Sequence, residues 1–412
     1  MTTKRTFIGL TCGQALDGVE AALVDVEGAG DDLRPRFVRG LSRPLPAPLR
    51  GRLAGVLDAE IIDPRALEPQ AADLASVLAS AASELLAEAG RKPESVSAVG
   101  CGGPDLGAGI ELPDPQHVAA ACRLPAVGGF EASDLAAGGV GGPVDAWPLW
   151  RMLRHERLSR VAVRLGGVAT VTFIGSAAEA CEVVSYDVGP GTLLTDALAR
   201  RLLGRPHDAD GAVASRGRAR EDLLNELSAR GYFGRRPPKR TRRREWLAAE
   251  PDRLLLTAAR HGLRQEEANA DRSGASDGGK GVPSARKGGD SGGEVVPGDR
   301  TDGSGDAEDL LATVTELTAR LVVRAIDALT ERPHEVILFG GGALNIHLAG
   351  RIRALMSPSS TYAVERYGLD ARCAQAACRA VLAAARLDAF AAHCHAATGA
   401  AAPSVLGAVA SR

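Results

Sequence analysis

The stretch Gly9-Leu10-Thr11-Cys12-Gly13-Gln14-Ala15-Leu16-Asp17-Gly18 lies between two β-rich runs, Thr6 to Ile8 and Val19 to Val26. This pattern predicts two strands joined by a glycine-containing loop that ends in Asp-Gly. In such a loop the backbone N–H groups can face an anion while Asp17 faces a hydrated cation. Taken alone, the stretch also fits an ordinary β-hairpin. A second copy of the design near residue 164 favours the phosphate-binding interpretation.

The composition is that of a globular protein with room for two or three domains, since 45% of the 412 residues are hydrophobic. Lys and Arg number 49 and Asp and Glu 51, so the net charge of -2 predicts neither nucleic acid nor a membrane surface as a partner. The N-terminus lacks the apolar stretch of a secretion signal, and no window resembles a membrane span. Seven cysteines without a C-x-x-C pair indicate reduced thiols. We therefore expect a cytoplasmic protein.

Strand and helix patterns alternate along the chain, which predicts an α/β fold. The order of the N-terminal segment restarts at Val161 to Leu165, with a Gly166-Gly167 turn and further strands at Val168 to Ile174 and Val183 to Tyr186. The chain is therefore predicted to be internally duplicated. Later, the strand Val336 to Phe339 runs into Gly340-Gly341-Gly342 before a helical pattern, a turn able to hold a ligand.

Eight short sequence motifs occur in a fixed order along the chain. They are Ile8 to Val24, Gly128 to Pro143, Arg164 to Thr172, Asp187 to Thr192, Asp208 to Gly211, Tyr232 to Thr241, Gly340 to Asn345 and Tyr367 to Asp370. Together they resemble the anhydro-N-acetylmuramic acid kinase family, part of the actin, Hsp70 and sugar-kinase superfamily. The resemblance extends from Phe7 to about Ala384.

This resemblance implies an α/β fold of two duplicated RNase H-like (actin-like ATPase) domains, with the nucleotide cleft between them. We expect residues 1–158 to form the first domain and residues 159–385 the second. The second domain would be interrupted at 266–306 by a polar segment whose composition predicts a disordered insertion, and residues 386–412 would form a flexible tail.

The resemblance also implies a function. Members of the family use ATP and Mg²⁺ to open the 1,6-anhydro bridge of an amino sugar and phosphorylate O6, giving N-acetylmuramic acid 6-phosphate in cell-wall recycling. Asp134 would act as general base, Asp17 and Asp187 would hold the metal, and the protein would form a homodimer. The residues that would hold the nucleotide and its phosphates are Gly13, Gln14, Asp17, Gly18, Gly166, Gly167, Asp187, Gly189, Gly191, Gly340, Gly341, Gly342 and Asn345.

Several polar positions depart from the family pattern. Gln14 and Ala15 replace Thr and Ser, Glu131 replaces Arg, and Arg164 and Thr170 replace two Asn residues. The family segment S-H-G-Q-T reads Gly100-Cys101-Gly102-Gly103-Pro104.

Two hypotheses follow from these departures. The chain is a working, divergent sugar kinase, in which Arg164 can replace a missing phosphate donor. Alternatively, it is a nucleotide- or sugar-binding relative that has lost catalysis and serves as a sensor or partner protein. The arginine-rich run 235–244 is interpreted as a solvated surface loop, with contact to phosphate or RNA as the alternative.

Overall fold

The computed structural model describes residues 4–247, 250–263 and 304–411. The first part of the chain contains, in order, β1 Arg5–Cys12, β2 Gly18–Glu27, β3 Arg34–Pro44, α1 Ala47–Asp58, α2 Leu67–Glu88, β4 Val96–Gly102, β5 Asp105–Gly107, β6 Ile110–Glu111, α3 Pro115–Cys122, β7 Ala126–Gly128, α4 Phe130–Ala136 and α5 Ala146–Leu153. Strands β1 and β2 pair antiparallel up to Cys12 and Val19, so the predicted glycine loop forms the tip of this hairpin.

The second part of the chain repeats the plan. It contains β8 Arg160–Leu165, β9 Ala169–Ile174, β10 Val184–Gly189, α6 Leu193–Leu203, α7 Glu221–Ser228, α8 Arg243–Leu247, α9 Glu250–Arg260, α10 Ser304–Asp327, β11 Glu335–Phe339, α11 Ile346–Leu355 and β12 Ser360–Ala363. The chain ends with α12 Ala374–Leu387, α13 His395–Thr398 and β13 Ala408–Ala410.

The two main sheets share one topology. The first runs β3-β2-β1-β4-β7, with the hairpin pairs antiparallel and β1, β4 and β7 parallel. The second runs β10-β9-β8-β11-β12 with the same sequence of directions. The predicted duplication is thus confirmed by strand order and direction.

Helix α12 changes the predicted domain boundary. It was assigned to the second domain, but it packs on β1 and β4 of the first sheet, where a Cβ on Gly9 would lie 1.7 Å from the carbonyl oxygen of Ala376. The helix also joins a buried apolar cluster that contains Phe7 of the first sheet and Phe339 of the second. The small residues of α12 allow this close approach, and the helix connects the bases of both sheets.

The predicted flexible tail is also wrong. Strand β13 pairs antiparallel with β7 and extends the first sheet, and His393 is buried with 3% of its surface exposed. The low-complexity sequence hid these contacts because they are formed with residues more than 250 positions away in the chain.

The predicted insertion, 266–306, lies outside the described residues except for its last three, which belong to α10. Within the described ranges, no helix combines the length and the apolar character that crossing a membrane requires.

Candidate active site

The tips of the two hairpins meet between the sheets. The first tip follows β1 and contains Gly13 and Asp17, and the second is the Gly166-Gly167 turn between β8 and β9. A Cβ on Gly167 would lie 2.8 Å from the backbone nitrogen of Ala15, so a side chain does not fit there. Glycine at this position allows the two loops to touch and expose their backbones to a shared cleft.

Three cavities share lining residues and form one continuous cleft. The outer cavity is lined by Asp17, Arg50, Thr192, Asp196, Asp208, Gly341, Asn345 and Arg372, among others. The middle cavity includes Gly13, Asp17, Gly166, Gly167 and Gly340 to Gly342. The inner cavity includes Gly13, Gln14, Glu131, Asp145, Arg164, Asp187, Arg240 and Arg379. Gly13 and Arg164 line both the middle and the inner cavity.

The structure brings most of the predicted site residues to this cleft, but not all of them. Gly18 packs against the backbone of β3, Gly189 against the ring of Phe233, and Gly191 against the carbonyl of Gly166. These three glycines support the loops from behind. Asn345 lines the outer cavity and caps α11, where its side chain accepts a hydrogen bond from the Leu348 amide at 2.9 Å.

Asp187 lies at the end of β10 and faces the inner cavity. Its Oδ1 accepts a hydrogen bond from the Thr170 hydroxyl at 2.8 Å, and its Oδ2 accepts one from the Thr241 amide at 3.1 Å. A carboxylate has about four acceptor sites, so each oxygen keeps a lone pair for a further donor. The side chain is thus held in one orientation while remaining able to accept a proton from a molecule in the cavity.

Asp134, the predicted general base, is enclosed elsewhere. It is fully buried, its Oδ2 accepts from the amides of Gly141 and Gly142 at 2.7 and 3.0 Å, and His393 Nε2 lies 2.7 Å from its Oδ1. Although burial opposes it, the contact with His393 and these amides lower the pKa of Asp134, which makes it a weaker base. The structure therefore contradicts the predicted role: Asp134 anchors the loop after α4 and the C-terminal segment.

The sequence comparisons agree with this geometry. The family model for anhydro-N-acetylmuramic acid kinase matches residues 5–262 and 298–412. A relative of that name from Gloeobacter violaceus is 30% identical, covering 88% of this chain and 87% of the relative. Relatives of the same name from Salinibacter ruber and Bordetella pertussis are 30% and 32% identical, each covering 98% of this chain and 96% of the relative.

The chain belongs to the anhydro-N-acetylmuramic acid kinase family. The interval that the family model leaves unmatched, 263–297, coincides with most of the polar segment predicted as an insertion. The match otherwise covers both sheets, α12 and the C-terminal segment that closes over Asp134.

The two positions where the kinase family has Asn form a new polar link. Arg164 and Thr170 are cross-strand partners in the second hairpin, and Arg164 Nη2 donates to the Thr170 hydroxyl at 2.7 Å. Because Thr170 in turn donates to Asp187, the three side chains form one chain of hydrogen bonds. The Arg164 guanidinium also lies 3.9 Å from Asp187 and from Asp145, at the boundary between the middle and inner cavities. These substitutions thus place a cationic group beside the site, where the family has neutral Asn side chains.

The two predicted metal ligands line different parts of the cleft. Asp17 lines the outer and middle cavities, whereas Asp187 lines the inner one and has both oxygens hydrogen-bonded. Among the described residues, no group of three or more His, Cys, Asp and Glu side chains is placed to hold a metal ion. An Mg²⁺ ion that relies on one carboxylate together with nucleotide phosphates and water fits at Asp17, which is exposed to the cleft.

Two carboxyl groups near Asp17 have raised pKa values. Burial, and to a smaller extent Asp17 itself, raises the pKa of Glu20 to about 8. Burial likewise raises the pKa of Asp196 to about 7. Both groups are therefore at least partly protonated at neutral pH, which limits their repulsion of a bound polyphosphate.

The arginine-rich run 235–244 is only partly the predicted solvated surface loop: Arg235, Arg236 and Arg244 are exposed, whereas three other arginines contact the first part of the chain. Arg240 and Arg242 bind Asp105 at 3.1 and 2.7 Å, and Arg243 forms a bidentate pair with Asp58 at the end of α1. In the sequence, the only sign of these ion pairs is that the run is more basic than the family pattern. Its carboxylate partners lie more than 130 positions away and could not be identified from spacing.

Proposed function

We propose that this chain transfers the γ-phosphoryl group of ATP to O6 of 1,6-anhydro-N-acetylmuramic acid while water opens the anhydro bridge. The observation that carries the proposal is the continuous cleft between the duplicated sheets. Two backbone-lined loop tips meet in its middle part, and an oriented carboxylate, Asp187, lies at its inner end. Membership of the family supports the same reaction.

The shape of the cleft supports an order for the two substrates. The glycine loops of the middle cavity expose backbone N–H groups, which suit the β- and γ-phosphates. The outer cavity continues from Asp17 to Gly341 and Asn345 and takes the rest of the nucleotide. The inner cavity, which holds Asp187 and Arg164, takes the sugar.

Asp187 replaces Asp134 as the proposed general base. Its carboxylate accepts a proton from a water molecule in the inner cavity as the water oxygen bonds to C1 of the sugar and the C1–O6 bond breaks. The freed O6 then bonds to the γ-phosphorus, the bond from that phosphorus to the bridging oxygen breaks, and ADP leaves. Positioning and charge neutralisation supply most of the catalysis in such a transfer.

Two cations, the Arg164 guanidinium and Mg²⁺, would neutralise the negative charge of the phosphoryl group during this transfer. Arg164 lies between the phosphate loops and Asp187 and would bind the transferring phosphoryl group. Asp17 would hold Mg²⁺, which neutralises phosphate charge when bound. The Thr170 hydroxyl links the Arg164 guanidinium to the Asp187 carboxylate, so both side chains keep a fixed relation.

The inner cavity is narrow in the described structure. The inner cavity holds about 60 Å³, whereas pockets for small ligands typically measure roughly 300–1,000 Å³. We infer that the two sheets move apart to admit the sugar and close over it. Closure would exclude bulk water and leave one water molecule near Asp187.

The test is ADP release by the purified protein with Mg·ATP, in the presence and absence of 1,6-anhydro-N-acetylmuramic acid. The proposal predicts release that depends on the sugar and falls about 10²- to 10⁴-fold in Asp187→Asn, with the affinity for ATP unchanged. Binding of both substrates without ADP release would instead support the alternative of a catalytically silent sensor or partner protein.

A further inference from the structure

Buried polar atoms without hydrogen-bond partners are concentrated around the inner cavity. Among the described residues, these atoms include Nε and Nη1 of Arg379, Nη1 of Arg240, Oε1 of Gln14, Oε2 of Glu131 and Oδ1 of Asp145. All five residues line that cavity. Buried polar groups are normally paired, so a cluster of unpaired ones in a single cavity indicates a site built to receive a polar ligand.

Arg379 is the most enclosed cation of this group. It lies on α12, the helix that packs on the first sheet, and it is 4% exposed. Its Nη2 donates to Glu131 Oε1 at 2.7 Å, and its guanidinium lies 5.6 Å from the centre of the Phe130 ring. A Cβ on Gly102 would lie 2.6 Å from Arg379 Nε, so the glycine of β4 makes room for this side chain. The guanidinium is thus fixed. Its Nε and Nη1 make no hydrogen bond, and Nη1 lies 3.6 Å from Asp145 Oδ1, a weak ion pair that a ligand carboxylate can replace.

The position of Arg379 compensates for a departure from the family pattern. Glu131 stands where the family has Arg, which by itself replaces a cation with an anion. Although burial opposes it, the Arg379 guanidinium, a hydrogen bond with Glu111 and the Arg240 guanidinium lower the pKa of Glu131, so Glu131 is ionised and paired. Arg240 in turn is held by Asp105 at 3.1 Å and leaves Nη1 unpaired. Arg379 of α12 and Arg240, which precedes α8, therefore supply cationic hydrogen-bond donors beside position 131.

The remaining groups around the cavity complement these cations. The carboxylates of Asp145 and Asp187 are acceptors for sugar hydroxyl and amide groups, whereas Arg379 and Arg240 are donors for an anion. Of the three arginines that line the inner cavity, only Arg164 also lines the middle cavity, next to the phosphate loops. Arg379 and Arg240 therefore face the sugar side of the cleft.

We propose that Arg379, assisted by Arg240, binds the carboxylate of an acidic amino sugar and so replaces the arginine that the family has at position 131. This inference rests on the proposed function, because it takes the inner cavity as the sugar site. In the proposed substrate the anionic group is the carboxylate of the lactyl ether. Arg379 acts on specificity and positioning and takes no part in the proton transfer.

The test is calorimetric titration of two sugars into the full-length protein with a non-hydrolysable ATP analogue. One sugar is 1,6-anhydro-N-acetylmuramic acid and the other is 1,6-anhydro-N-acetylglucosamine, which lacks the lactyl group. The wild type should bind the acidic sugar more tightly. Arg379→Gln should weaken binding of the acidic sugar about 10- to 100-fold, as expected for loss of a charged hydrogen bond, and leave the neutral sugar unaffected.

Two further variants keep this test decisive. Arg386→Gln removes another guanidinium from α12, one that donates to the Gly407 carbonyl at 2.8 Å, and should change neither affinity. If Arg379→Gln fails to fold because Glu131 is left unpaired, the double variant Glu131→Gln/Arg379→Gln removes both charges and should show the same loss of preference.

The outcomes separate this inference from the proposed function. Equal affinity of the wild type for both sugars, no binding of either, or an equal loss for both sugars in the variants would overturn the role of Arg379. Selective binding of the acidic sugar that depends on Arg379, without ADP release when ATP is supplied, would support the inference and contradict only the kinase reaction.

Discussion

Asp187 is held at the inner end of the cleft by a hydroxyl group and a backbone amide. Asp134, in contrast, accepts hydrogen bonds from two glycine amides and contacts the buried side chain of His393. The two aspartates therefore differ in what their removal would affect. Loss of the Asp187 carboxylate removes a group that faces the substrate, whereas a change at Asp134 disturbs the packing of the C-terminal segment.

Asp134→Asn is expected to destabilise the protein without abolishing turnover. The amide oxygen of Asn can still accept from the Gly141 and Gly142 amides, but an NH2 group replaces the carboxylate oxygen that faces His393 Nε2, so the charged contact with His393 is lost. The free energy of unfolding should fall by about 1–3 kcal/mol. Urea unfolding and kcat at a temperature where the variant is folded would check this. Wild-type stability combined with lost turnover would restore Asp134 as the catalytic base.

Glu111 provides a pH-dependent prediction for the same region. It is 8% exposed, and burial together with the neighbouring Glu131 raises the pKa of Glu111 well above its usual range. Between the pKa of the unfolded chain and this higher value, the native state binds a proton that the unfolded state has released. The free energy of unfolding should therefore fall as the pH rises through that range.

Glu111→Gln removes this titration and keeps the shape of the protonated side chain. The variant should be more stable than the wild type at pH 8, and the difference should shrink as the pH approaches the ordinary pKa of glutamate. Urea unfolding at several pH values measures it, with exposed Glu94→Gln as the control. Parallel profiles for Glu111→Gln and the wild type would show that Glu111 is ionised in the native state.

Among the elements, the arginine-rich run 235–244 joins the two domains. Arg240 and Arg242 bind Asp105, the first residue of β5, and Arg243 binds Asp58 at the end of α1. The pair between Arg243 and Asp58 has near-ideal bidentate geometry, with distances of 2.7 and 2.9 Å. Because Arg243 also donates to the Gln14 carbonyl at 3.1 Å, this element supports the first loop tip directly.

Arg243→Gln should weaken domain closure. We expect a higher KM for the sugar and a lower free energy of unfolding, because Asp58 loses its partner. A double-mutant cycle with Asp58→Asn should show a coupling energy of about 0.5–3 kcal/mol. Additive effects of the two substitutions would mean that the pair does not stabilise the closed state.

The elements also show which features the sequence could predict. The hairpin loop at Gly13, its copy at Gly166 and the turn at Gly340 are local patterns, so the sequence predicts the loops themselves, whereas the residues that would hold the nucleotide are implied by the family resemblance. Ion pairs between distant segments were not, because Arg379 and Glu131 are 248 positions apart and Arg243 and Asp58 are 185 apart. The docking of the C-terminal segment was missed for the same reason, since its low-complexity sequence gives no sign of its partner Asp134.

At the scale of the whole molecule, two copies of one sheet topology share a base formed by α12. A buried apolar cluster joins Phe7 of the first sheet, Phe339 of the second and this helix, so the opening that we infer would occur at the hairpin tips. In this structure the inner cavity is narrow, and the arginine-rich run forms ion pairs with the first part of the chain. Family membership and the cleft geometry together support a sugar kinase whose contact residues have been rearranged.

The most direct test of this account is identification of the product. Purified protein is incubated with Mg·ATP and 1,6-anhydro-N-acetylmuramic acid, and the sugar is analysed by mass spectrometry, with Asp187→Asn as the matched variant. We predict N-acetylmuramic acid 6-phosphate and an equal amount of ADP from the wild type, with a severe loss of product in the variant. Tight binding of ATP and sugar with no phosphorylated product from the wild type would contradict it.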